Sequence, residues 1–187
     1  MDDLWGSAFV FPQEPPTSHI LVRAMPEQPL QNSSGCLRSF THLTRPQSLF
    51  SCTTKSHSTD ILLSKSKPNQ YQFSVGGNSS LYTVPRSLGE SEHVCASWES
   101  TTGIVGFCFN GKPWPREGLQ KGYVVDNKAS IVLGQGQGGF EGEMSSVYMW
   151  DTGTTTSGWH RPRATDPRKC PSLAGGTSPM RSWARCT

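Results

Sequence analysis

From His93 to Glu99 the chain alternates with period two. Val94, Ala96 and Trp98 fall on one face and Cys95, Ser97 and Glu99 on the other, a pattern that a half-buried β-strand accommodates and a helix does not. Apolar residues return within five positions in Ile104-Val105-Gly106-Phe107-Cys108-Phe109. Asn110-Gly111 then closes the run with the two residue types that best tolerate the positive φ of a tight hairpin turn. Two adjacent strands and a turn are therefore expected over residues 93–111.

The rest of the chain extends the same pattern. Strands are expected at 8–11 and 19–23, parted by the corner Glu14-Pro15-Pro16, and at 30–34, leading into a strand through Cys36. Further strands are expected at 48–53, 60–63, 71–75, 81–84, 130–134 and 146–150, with Gly76-Gly77-Asn78 as a second hairpin turn. Nowhere between Ala8 and Asp151 do apolar residues recur at i, i+3, i+4 and i+7 for long enough to require a helix. Many short strands at near-regular spacing imply an all-β sandwich.

A chain of 187 residues holds one sizeable core, and 34% hydrophobic residues beside 19 Gly and 14 Pro make that core thin and turn-rich. The formal charge of +3 is unevenly spread. Residues 1–151 carry 11 Lys and Arg against 13 Asp and Glu, a net −2, whereas 152–187 carry 6 against 1, a net +5. The basic excess thus belongs to a polar, aperiodic end segment with the composition of disorder, and it points to no nucleic-acid partner. No stretch approaches the ~18 apolar residues of a membrane span. Met1-Asp2-Asp3-Leu4-Trp5 is acidic and lacks the regions of a secretory signal peptide, so no leader is visible. Six cysteines suit an oxidising compartment and allow fifteen pairings; none shows the linear spacing of a zinc site.

His93-Val94-Cys95-Ala96-Ser97-Trp98-Glu99-Ser100 also fits His-x-Cys-x-Ser/Thr-Trp-x-Ser/Thr, the motif of the pentraxin family. The resemblance runs outward in family order through Ala8-Phe9-Val10-Phe11-Pro12-Gln13-Glu14, Ser48-Leu49-Phe50-Ser51, Phe109-Asn110-Gly111-Lys112-Pro113, Ile131-Val132-Leu133-Gly134-Gln135 and Tyr148-Met149-Trp150-Asp151. The chain resembles pentraxins, their mucosal members in particular, from about Ser7 to Asp151. The resemblance implies the flattened jelly roll shared with legume lectins, here expected to be incomplete: a truncated pentraxin domain over 1–151 and an unstructured tail over 152–187. The tail, Thr152-Gly153-Thr154-Thr155 onward, stands where the family has a helix and closing strands, as a reading-frame change or abnormal exon end would leave it in a pseudogene-like product. Lost closing strands would leave sheet edges unpaired and the chain monomeric or heterogeneous in place of the family homopentamer.

The resemblance also implies a function: a secreted, non-enzymatic, lectin-like glycoprotein of innate immunity that binds phosphate-bearing or carbohydrate ligands through calcium. It pairs Cys36 with Cys95, closing a ~60-residue loop at a gain of about 4 kcal/mol in the chain-entropy picture, and leaves Cys52, Cys108, Cys170 and Cys186 without family counterparts. Two calcium ions need roughly six to eight oxygens each, several of them carboxylate. The family's Asp-Asn pair aligns with Ser58 and Thr59, and its next acid with Asp60. Two loop carboxylates become Gly136 and Gly138, and Gln137 keeps a backbone carbonyl. Asp60 and Gln137 are thus the metal candidates left, with Glu141 a marginal third. The two residues of the phosphocholine pocket align with Ser64 and Ser79. Calcium-dependent binding is therefore expected to be impaired, with a calcium-independent interaction module as the alternative. Glu141 and Glu143 as paired glycosidase carboxylates are a remote one. Asn32-Ser33-Ser34 and Asn78-Ser79-Ser80 are glycosylation sequons, and some family members carry one at the Asn32 position.

Overall fold

The computed structural model describes residues 8–12, 19–22, 29–54, 59–87, 89–126, 129–135 and 139–150. Among them are thirteen strands and no helix: β1 (Ala8–Phe11), β2 (Ile20–Val22), β3 (Asn32–Phe40), β4 (Gln47–Thr53), β5 (Ile61–Lys67), β6 (Gln70–Val75), β7 (Asn78–Thr83), β8 (Glu92–Glu99), β9 (Ile104–Phe109), β10 (Lys112–Pro113), β11 (Glu117–Gly118), β12 (Ser130–Leu133) and β13 (Gly142–Trp150). They form two antiparallel sheets. One runs β1-β13-β3-β8-β9-β10, with β11 also on β9; the other runs β2-β12-β4-β5-β6-β7. This is the sandwich expected from the alternating strands. The tail 152–187, Ser58, Gly136, Gln137 and Gly138 lie outside the described residues.

Alternation decides which side chains meet between the sheets. From β8 and β9, Val94, Ala96, Trp98, Val105 and Phe107 point inward, and from β5 and β6 they meet Ile61, Leu63, Tyr71, Phe73 and Val75, each at most 2% exposed. Tyr82 stacks on Phe107 with centroids 4.2 Å apart and planes 6° from parallel, while Trp114 meets Phe107 edge-on at 6.2 Å. Trp98 is wholly buried, and its indole N–H donates to the Leu119 carbonyl at 2.9 Å, so the ring buries its area without stranding its donor. Cutting it to Ala would cost about 3–5 kcal/mol in lost burial and cavity together.

Turn chemistry fixes the register. Asn110 and Gly111 adopt φ of 48° and 79°, the doubly left-handed turn that matches the twist of β9 and β10. Gly76 and Gly77 do the same between β6 and β7, at 53° and 85°. Several elements exceed the sequence expectation: β7 starts at Asn78, read as turn, three residues before the expected 81, and the short β10 and β11 are additional. β5 continues past Leu63 through Ser64-Lys65-Ser66-Lys67, because Lys65 takes the next inward position after Ile61 and Leu63. β13 starts at Gly142, four residues before the expected 146, and crosses a register shift between Ser145 and Tyr148 where Ser146 has φ 50°.

Candidate functional site

Asp60 closes the loop from β4 immediately before β5, and its carboxylate turns inward: the residue is 2% exposed. Thr54 Oγ1 donates to Asp60 Oδ2, and the Tyr123 hydroxyl, 63 residues away in sequence, donates to Oδ1. Its backbone is held on both sides, the N–H donating to the Cys52 carbonyl and the carbonyl accepting from Gly76, each at 2.8 Å. The carboxylate marks its surroundings. Burial first and the Asp60 charge second push the Cys52 thiol up to about 12, and burial followed by the bond to and charge of Asp60 push the Tyr123 phenol up to about 12.

The other residues singled out in the sequence are dispersed around this point. Thr59 is exposed, and Gln137 lies outside the described residues. Ser64 is half-buried on β5 opposite Ser48 and Gln72, and Ser79 is exposed on β7. Glu141 is half-buried and precedes β13, while Glu143 is exposed within it. Gly142 between them has φ 134° and pairs with Phe11 of β1. Asn78 is exposed at the start of β7, and Asn32 is half-buried at the start of β3.

Cys36 and Cys95 are joined by a disulfide across β3 and β8, their Cα atoms 4.1 Å apart in exact register. Such a separation belongs to a non-hydrogen-bonded antiparallel pair, in which side chains stand closest. His93, two residues before Cys95 on the same face, places Nε2 3.8 Å from Cys95 Sγ. Burial first and the Arg38 guanidinium second hold its imidazole down to about 4, so it is neutral at neutral pH.

Sequence reasoning missed a buried polar cluster that crosses between the sheets. Lys65 Nζ lies 2.5 Å from Glu92 Oε2, both side chains 3% exposed. The Tyr71 hydroxyl donates to the same oxygen at 2.5 Å and Ser87 Oγ to Oε1 at 2.5 Å. Lys65 also sits 5.6 Å above the Tyr71 ring. Burial and the adjacent Glu92 carboxylate push the Tyr71 phenol far up. The only linear hint is that Lys65 continues the Ile61, Leu63 alternation.

The profile described as the Pentaxin family matches residues 7–158. The chain belongs to the pentraxin family. Among pentraxin relatives it is 42% identical over 159 residues to mucosal pentraxin from Rattus norvegicus, covering 80% of this chain and 73% of that protein. It is 44% identical over 161 residues to C-reactive protein from Homo sapiens, covering 80% and 72%. Among solved structures, the heptameric SAP-like pentraxin from Limulus polyphemus superposes with a TM-score of 0.71 at 21% identity, over 80% of this chain and 77% of that one, which shows the shared fold. The pentraxin jelly roll that the motif residues implied is therefore the fold of this chain, and its family disulfide is in place.

Proposed function

We propose that this chain is a secreted, non-enzymatic pentraxin of the ligand-binding, pattern-recognition kind whose calcium-dependent mode is impaired. The observation that carries the impairment is the state of Asp60, the one acid that the family alignment keeps just before β5. Its two carboxylate oxygens accept hydrogen bonds from Thr54 and Tyr123, and it is 2% exposed, so binding an ion would require breaking both bonds and turning the group outward. A calcium ion needs several carboxylate oxygens, and affinity falls as ligand charge is lost. Ser58, Thr59, Gly136 and Gly138, at the positions of family ligands, supply two hydroxyls and no carboxylate.

Isothermal titration of the folded chain with calcium tests this. The expected result is no saturable binding below about millimolar, the weak end of protein calcium sites; a two-site isotherm in the micromolar range would overturn it. Binding is favoured over hydrolysis because Glu141 is half-buried ahead of β13 while Glu143 is exposed within it, two different settings for the supposed pair. Assembly belongs to the same reading. With residues 152–187 in place of the family's helix and closing strands, the chain is expected to sediment as a monomer or a mixture, and one sharp pentamer or heptamer boundary in the ultracentrifuge would refute that.

A further inference from the structure

Three cysteines stand in one row across neighbouring strands. Cys36 on β3 is opposite Cys95 on β8, and Cys95 is opposite Cys108 on β9. Directly opposed residues in an antiparallel sheet project from the same face, so all three sulfurs leave the sheet on the side away from the inter-sheet core. His93 joins them from β8. The ligand atoms of Cys36, His93 and Cys95 all lie within 4.8 Å of one another.

We propose that, once the Cys36–Cys95 bridge is reduced, Cys36, His93, Cys95 and Cys108 form a four-coordinate zinc site on the outer face of this sheet. Zinc bonds of ~2.3 Å to sulfur and ~2.0–2.1 Å to nitrogen, set tetrahedrally, put a sulfur and a nitrogen about 3.6 Å apart. His93 Nε2 and Cys95 Sγ are already 3.8 Å apart. Two sulfurs on one zinc stand about 3.8 Å apart, a separation that Cys36 and Cys95 reach by relaxing from their bond without moving their strands.

Cys108 supplies the fourth ligand. The bond from the Asn110 N–H to the His93 carbonyl, 2.7 Å, makes His93 and Asn110 a hydrogen-bonded pair. Two residues along, Cys95 and Cys108 are then another, with Cα atoms about 5.5 Å apart. From there a rotation about the Cys108 Cα–Cβ bond swings its thiol toward the Cys95 side. Cys95 and Cys108 are 2% and 1% exposed, which suits a closed structural site, and half-buried Cys36 and His93 leave a path for the ion. Zinc with three thiolates and a neutral imidazole carries one net negative charge. Arg38, opposite His93 in register, sits beside it with a compensating positive charge. Cys52 faces the inter-sheet core from β4 and does not compete.

The chemistry closes without remainder. A dithiol delivers two electrons and two protons and leaves as its own disulfide, or a phosphine delivers two electrons and takes the oxygen of one water to leave as phosphine oxide while that water's two protons go to the sulfurs. Either way Cys36 and Cys95 each gain a proton. Zinc then displaces three thiol protons, from Cys36, Cys95 and Cys108. Because the bridge and the metal use the same sulfurs, each state excludes the other.

The test is a competitive zinc titration of the full chain against a chromophoric chelator, before and after anaerobic phosphine reduction. Cobalt substitution then reads the tetrahedral thiolate spectrum. The expected result is one tight zinc per reduced chain and none for the oxidised chain. Cys108→Ala, which can fold with the bridge intact before it is reduced, and His93→Gln should each weaken binding at least about tenfold. Cys52→Ala and the double variant Cys170→Ala/Cys186→Ala should leave it unchanged. Loss of strand circular dichroism on reduction that zinc restores would support the site. Loss that zinc does not restore would overturn it, as would an equal zinc load on the oxidised chain, undiminished binding in Cys108→Ala, or binding that vanishes with Cys170 and Cys186.

Discussion

Replacing Lys65 by Met should cost this fold more than most single changes, because the ammonium and its partner Glu92 are 2.5 Å apart with only 3% of either side chain exposed. Removing one member of a buried pair leaves an uncompensated charge and typically costs about 3–5 kcal/mol. In Lys65→Met the Glu92 carboxylate keeps the Tyr71 and Ser87 hydroxyls, so the expected loss is near the lower figure, ~3 kcal/mol. Glu92→Leu strips the acceptor from Lys65, Tyr71 and Ser87 together, and should lie near the upper figure, ~5 kcal/mol. The double variant Lys65→Met/Glu92→Leu has no buried charge left. What remains is mainly the stranded Tyr71 hydroxyl at about 1–3 kcal/mol, far short of the ~8 kcal/mol that independent effects would sum to. Urea unfolding followed by tryptophan fluorescence reads all three free energies. Thermal melts should show Lys65→Met lowered by roughly 6–12 °C, at about 2–4 °C per kcal/mol for a chain of this size. If the two single effects add to within about 0.5 kcal/mol in the double variant, the pair is not coupled and the reasoning fails.

His93 gives a pH dependence of definite sign. Its folded value of about 4 lies below the unfolded ~6.5, so the unfolded chain binds more protons between the two; stability should fall as pH drops from about 6.5 to about 4, and His93→Gln should flatten the denaturation midpoint over that window. Gly142→Ala should destabilise severely, since an added Cβ would stand 2.1 Å from the Phe40 carbonyl oxygen at φ 134°. Backbone strain there is worth about 1–3 kcal/mol before the clash is counted, and a melting temperature unchanged by this substitution would mean that β3 and β13 are not paired as described.

The sandwich was legible because its central strands obey simple rules: the alternation at Val94, Ala96 and Trp98, and two turns, Asn110-Gly111 and Gly76-Gly77, whose residues suit positive φ. The strand expected at 60–63 stops four residues short of the end of β5 because Ser64-Lys65-Ser66-Lys67 carries no apolar residue. What holds Lys65 inside is Glu92, 27 residues further on, and no local pattern carries that. Asp60 was legible as a carboxylate at a family position, but the Tyr123 hydroxyl that occupies it comes from the far side of β9 and its turns. The disulfide followed from the family motif alone. The row it makes with Cys108 depends on strand register, which the positions 36, 95 and 108 do not reveal by themselves.

The bridge that joins β3 to β8 spans 59 residues, and β4, β5, β6 and β7 all lie within that span. A pulling force applied at the two ends of the chain is therefore carried along the backbone from Cys36 straight to Cys95, so the segment holding those four strands cannot be drawn out, although β4 still feels β12 through their ladder. About 200 Å of contour, at ~3.3–3.6 Å per residue, stays locked while the bridge is closed and appears as extra extension once it is cut. A protease cut between Cys36 and Cys95 likewise leaves both pieces tethered, so damage to the β4–β7 block releases no fragment until a reductant opens the same bond.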